Sequence, residues 1–172
     1  AKNTINTGIS LMPKNTDLLK ERAVMLALCD NIVEAIKDYR RIIRIDKKDT
    51  NAHIRLAMLS SDSEEAKEHY RSALLIKPDL PEVHRELGIL ESRNGQFDSA
   101  LEHFHKAIDL NPQDSRAHGG LATVLKNIGE KEKAKEEYEL SLSILDDPCA
   151  RHQYANLLSD LGNPEAASQQ RL

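Results

Sequence analysis

Apolar residues in this chain fall at helical intervals in short blocks, and polar or glycine-containing steps separate the blocks. Val83, Leu87 and Leu90 stand on one helix face. Asn94-Gly95 interrupts them, as glycine commonly does just past a helix C-terminus. A second apolar face runs through Phe97, Ala100, Leu101, Phe104, Ala107 and Ile108. Asn111-Pro112 closes it, because proline has no backbone N–H to donate and disfavours helix at the residue before it. Residues 81–114 therefore read as helix, turn, helix, turn.

The unit recurs. An alanine precedes an aromatic by four residues, and a third fixed place follows three later: Ala35, Tyr39, Ile42; Ala66, Tyr70, Ala73; Ala100, Phe104, Ala107; Ala134, Tyr138, Ser141. The aromatics step by 31, 34 and 34 residues, a period that marks stacked helical repeats. Leu87-Gly88, Ala100, Phe104, Ala107 and Pro112 resemble the Leu-Gly, Ala, Phe, Ala and Pro of the tetratricopeptide repeat. Leu56-Ala57 with Pro78, Leu121-Ala122 with Gly129, and Ala155, Gly162 and Ala167 carry the resemblance into the other units.

This resemblance implies an all-α, right-handed superhelical solenoid of antiparallel helix-turn-helix units. It divides one repeat domain, residues 1–172, into full repeats at 16–49, 50–80, 81–114 and 115–147. Residues 148–172 form a partial repeat, and 1–15 the end of a preceding one, so the chain reads as a segment of a longer repeat protein. Ala23, Ala57, Gly88, Ala122 and Ala155 on first helices let paired helices approach closely.

Two departures from the family pattern matter. The consensus tryptophan is absent, and Leu19, His53, His84 (Val83 or Arg85 in an adjacent register) and His118 hold its place. Repeat 50–80 is three residues short. The loss is expected between its helices, with Ser61-x-x-Glu64 forming a capping box for an early second helix.

Composition narrows the function. The chain is acidic by only four charges, although 30% of its residues are charged. Runs such as Lys131-Glu132-Lys133-Ala134-Lys135-Glu136-Glu137 interleave the two signs, as a solvated helix face does. All six aromatics sit in repeat positions, leaving none to stack on bases, so nucleic-acid binding is not expected. No apolar run spans a bilayer, and membrane insertion is not expected. Cys29 and Cys149 match no metal or redox spacing, and two free thiols suit a reducing, cytoplasmic location. No Ser/His/Asp or Cys/His arrangement supplies a nucleophile, so neither enzymatic activity nor a cofactor is expected. His53, His84 and His118 recur one per repeat, too far apart to share one metal.

The resemblance implies a protein or peptide partner held in a concave groove lined by first helices. Projected onto this chain, the lining comprises Lys20, Val24, Leu28, Asn51, Ile54 and Met58 in the early repeats. It continues through Arg85, Ile89, Arg93, Arg116, Thr123, Lys126, Asn127, His152 and Asn156. The early part is apolar and the middle basic, which suits a segment with apolar anchors followed by acidic residues. Gly119-Gly120, inside a first helix, reads either as room for a ligand backbone or as a tolerated weak spot.

The carboxylate clamp of chaperone-tail binders has no matching frame: from Lys20 its places fall on Val24, Arg55, Glu82 and Glu86, which argues against Hsp70 or Hsp90 tails. The asparagine ladder of the O-GlcNAc transferase solenoid is replaced by Glu21, Arg55, Glu86, Gly120 and Gln153. The alternatives are a regulatory or substrate-recognition region of a larger enzyme, and homo-oligomers formed through the ends of the array.

Phe104→Ala is expected to leave a cavity and cost about 3–5 kcal/mol. A circular dichroism melt with an unchanged midpoint would refute the repeat register.

Overall fold

The computed structural model describes the backbone of residues 2–170 and side chains from Thr4 to Gln170. The chain forms two compact units, meeting in sequence between Pro78 and Asp79. The first contains α1 (Lys2–Leu11), α2 (Thr16–Leu28), α3 (Ile32–Ile45), α4 (Thr50–Leu59) and α5 (Ser63–Ile76). The second contains α6 (Pro81–Arg93), α7 (Phe97–Leu110), α8 (Ser115–Asn127), α9 (Lys131–Ile144), α10 (Pro148–Asp160) and α11 (Pro164–Gln169). Consecutive helices pack as antiparallel pairs, most closely α2 with α3, α4 with α5, α6 with α7 and α8 with α9.

Local chemistry sets the helix ends. Asn15, Asp49, Asp62, Asp114, Asp147 and Asn163 cap helix N-termini, each side chain accepting backbone N–H groups of the first turn. Pro81, Pro148 and Pro164 occupy first helical positions, where the missing N–H costs nothing. The connections within α2–α3, α6–α7, α8–α9 and α10–α11 turn through a left-handed residue: Asp30, Gly95, Gly129 and Gly162. Asp30 adopts that conformation without being glycine, at φ 59°.

The α4–α5 connection departs from both expectations for it. Ser61 is not the cap: the Asp62 side chain accepts from the Glu64 N–H, and α5 begins at Ser63. Nor does the missing length fall in the connection, which has three residues like its counterparts. It falls in α4, which has 10 residues where α2, α6, α8 and α10 have 13. Ser60 ends the helix in an extended conformation, so this turn needs no left-handed residue. Its hydroxyl donates to Glu65 Oε2 at 2.7 Å, fastening the turn to α5.

The fixed places are the core. Ala35, Tyr39 and Ile42, and Ala66, Tyr70 and Ala73, are buried in the first unit. Ala100, Phe104 and Ala107, and Ala134, Tyr138 and Ser141, are buried in the second. The tightest fit surrounds Phe104. A Cβ on Gly88 of α6 would stand 3.1 Å from its ring, and one on Gly120 of α8 only 2.4 Å away. Phe104 on α7 thus lies between two helices that touch it with backbone. This explains Gly120 without a ligand, and it is not a tolerated weak spot: alanine there meets an aromatic ring instead of open space.

Gly120→Ala is expected to lower stability by about 1–3 kcal/mol despite alanine's better helix propensity. Urea denaturation checks the sign, and a gain in stability would refute the account of Gly120.

Candidate functional site

In the first unit, the predicted lining residues lie on α2 and α4. Lys20 is committed to the fold: its Nζ lies 2.6 Å from Asp49 Oδ2, the carboxylate that also caps α4. Asp49 raises the Lys20 ammonium above its ordinary pKa. Burial pushes the Asp49 carboxyl up, but Lys20 and the Ala52 N–H outweigh it and hold the group below the usual range. Val24 and Met58 are exposed apolar side chains, Ile54 is half-buried and Asn51 is exposed.

In the second unit, a cavity of about 530 Å³ opens among α6, α8, α9 and α10. It gathers Ile89, Arg93, Arg116 and Thr123 from the predicted lining. It adds residues that the first-helix projection did not name: Tyr138 and Ser141 from α9, Leu145 just beyond it, and Cys149, Ala150 and Gln153 from α10. The remaining predicted residues lie elsewhere. Lys126 reaches Gln153 Oε1 at 3.4 Å, Asn156 is half-buried, and Asn127 and His152 are exposed.

The floor of this cavity is self-satisfied. Thr123 Oγ1 donates to Gly119 O at 2.9 Å, so the Tyr138 hydroxyl, 2.9 Å away, donates to Thr123. Ser141 Oγ donates to Ser115 O at 2.8 Å. With these hydroxyls spent and the Tyr138 ring covered, the floor offers glycine backbone and the flanking Ile89 and Leu145. Such a surface accepts an apolar side chain without stranding polar atoms. Gly119 keeps the approach open, since a Cβ there would press to 3.3 Å from Ser141 Oγ.

Charge divides between fold and rim. Arg85 is half-buried, with Nη1 2.5 Å from Asp114 Oδ2 and Nη2 3.2 Å from Glu86 Oε1. Burial lowers the Arg85 pKa and Asp114 raises it, and the carboxylate prevails. Its charge is therefore spent inside the protein. Arg93 is exposed and makes no hydrogen bond or ion pair among the described residues. Arg116 is 65% exposed and only 3.8 Å from Glu86, a long and weak pairing. Asp147, also on the lining, is occupied as the cap of α10, accepting from the Ala150 N–H. The cavity rim thus presents two guanidinium groups able to meet an outside anion.

Among the described residues, no three His, Cys, Asp or Glu side chains come together as metal ligands, and no helix is long and apolar enough to cross a membrane. Cys29 and Cys149 are free and exposed.

A sequence model of the tetratricopeptide repeat matches residues 92–144. Curated protein sequences give no match. Solved structures match across nearly the whole chain. A tetratricopeptide repeat protein from Parabacteroides merdae superposes with a TM-score of 0.85 at 20% identity, over 99% of this chain and 69% of that one. YrrB, described as a TPR protein with an unusual peptide-binding site, gives 0.79 at 18% identity over 99% and 90%. MamA gives 0.79 at 19% identity over 90% and 87%.

Because Arg85 serves the fold, Arg85→Ala is expected to cost about 1–3 kcal/mol by leaving Asp114 without its cation. Arg93→Ala should fall within about 0.5 kcal/mol of the parent. Thermal melts of the two variants check the contrast.

Proposed function

We propose that this chain, a tetratricopeptide-repeat protein, is a protein-interaction scaffold, and that the cavity of its second unit receives a peptide bearing an apolar side chain next to acidic residues. The carrying observation is the pairing of a self-satisfied apolar floor with the uncommitted Arg93 and the weakly committed Arg116. An apolar anchor seated on Ile89 and Leu145 supplies affinity by burial. A neighbouring carboxylate meeting a guanidinium supplies orientation, since such pairs form parallel, directional hydrogen bonds. The description of YrrB as peptide-binding supports the general role of the fold.

The first unit exposes two apolar side chains of its own, Val24 on α2 and Met58 on α4. Lys20, the cation of its predicted lining, is held by Asp49.

An array of immobilised peptides, each with one leucine or phenylalanine flanked by either Asp/Glu or Lys/Arg, tests the reading. Binding is expected to favour the acidic set, and Arg93→Glu with Arg116→Glu should weaken it by about tenfold or more while leaving the melt unchanged. Equal capture of both sets, or capture that the double variant retains, would overturn it.

A further inference from the structure

Each closely packed helix pair is fastened by a polar contact, and in three of the four it falls at one register. In α2–α3, Arg22 donates from Nε and Nη2 to Asp38 at 2.8 and 2.6 Å. In the next three pairs the first partner is a histidine, the fourth residue of its helix, and the second is the seventh residue of the following helix. His53 Nδ1 lies 3.2 Å from His69 Nδ1, His84 Nδ1 lies 3.0 Å from His103 Nδ1, and His118 Nδ1 lies 2.7 Å from Glu137 Oε2.

These fasteners respond differently to a proton. His53 Nε2 faces the Lys47 carbonyl at 3.2 Å, which can only accept, so its proton sits there and Nδ1 is a bare lone pair. The neutral pair then requires His69 to donate from Nδ1. Any added proton that lands on His53 Nδ1 leaves both Nδ1 atoms carrying hydrogen and facing each other across the contact. His118 is opposite: Nε2 faces Pro112 O at 3.1 Å and Nδ1 a carboxylate, so the protonated ring satisfies both acceptors. His103 is intermediate, with the buried Glu91 carboxylate 3.7 Å from its Nε2.

The surroundings of the pair oppose a positive charge on His69. Glu65 Oε1 is 4.0 Å from His69 Nε2, but that carboxylate is engaged by Arg40 at 2.6 Å and by Ser60. Arg40, Arg44 and Lys47 bring positive charge from the α3 side, and Glu68 on α5 partly offsets it. Burial, and then His53, lower the His69 pKa. The unfolded chain takes the same proton near pH 6.5. Stability from this contact is therefore complete above about pH 6.5 and declines as pH falls through that value toward the folded pKa. The helix concerned, α4, is also the shortest of the first helices described above.

We propose that His53–His69 is an acid-labile clip: with neutral rings it closes α4 onto α5, and proton uptake at this contact opens that pair while α2–α3, fastened by Arg22–Asp38, stays closed. The clip couples the display of Ile54 and Met58 on α4 to pH.

Hydrogen exchange read by mass spectrometry, corrected for intrinsic rates, tests this at about pH 7.5 and about pH 5.5, either side of the free imidazole value. Protection of residues 50–76 is expected to fall by about tenfold or more relative to residues 16–45, and His69→Gln, which cannot titrate, should abolish the difference. Equal changes in both segments, or an undiminished loss in His69→Gln, would overturn the proposal. Should that variant fail to fold, ring-nitrogen NMR of the parent at neutral pH decides: a proton on His53 Nε2 and His69 Nδ1 is expected, and the reverse assignment overturns it.

Discussion

The contact on which the second unit depends is a flat ring held against backbone on two sides. Phe104 is almost wholly buried, with Gly88 before it and Gly120 after it; a Cβ would press tightly on the ring at Gly88 and collide with it at Gly120. A ring seated this way fixes the separation of α6 from α7 and of α7 from α8 together, so one side chain couples two helix interfaces. The geometry also makes a cavity possible. With α8 drawn against Phe104 through Gly120, the adjacent Gly119 leaves space on the face toward α9 and α10, where the floor lies.

Polar groups in these units divide into those spent on the fold and those available to a partner. Asp49 and Asp114 each do two structural jobs, capping a helix and binding a cation from elsewhere in the unit. Those pairings consume Lys20 and Arg85, which a residue-type reading groups with Arg93 and Arg116. Burial decides between them: Arg85 is covered and Arg116 is not. Charge counted along the sequence therefore overstates the positive potential of the lining, and the uncommitted fraction concentrates at one cavity.

The helices and their order were legible because they rest on local rules. Small residues and aromatics at a fixed period, caps at N-termini and glycine after C-termini act over a few residues. What escaped depends on residues that meet only after packing. Gly120 meets Phe104 from another helix pair, so sequence alone suggested only ligand space or weakness. Tyr138, Leu145 and Gln153 enter the cavity from α9, beyond α9 and α10, and a projection confined to one stripe of first helices misses them. The recurring histidine was visible, but its partner, at 16 residues in one pair and 19 in the others, was not.

That difference of three returns to the short helix. A helical turn takes 3.6 residues, so removing three excises nearly one turn and rotates the helix end by only about 60° from its former bearing. The chain still leaves α4 pointing roughly toward α5, and a three-residue connection still suffices. Loss of one or two residues would instead swing the exit by about 100–200° and send the following helix across the wrong face. The length of such a repeat is thus free to change only in steps near a whole turn, and the chain records one such step.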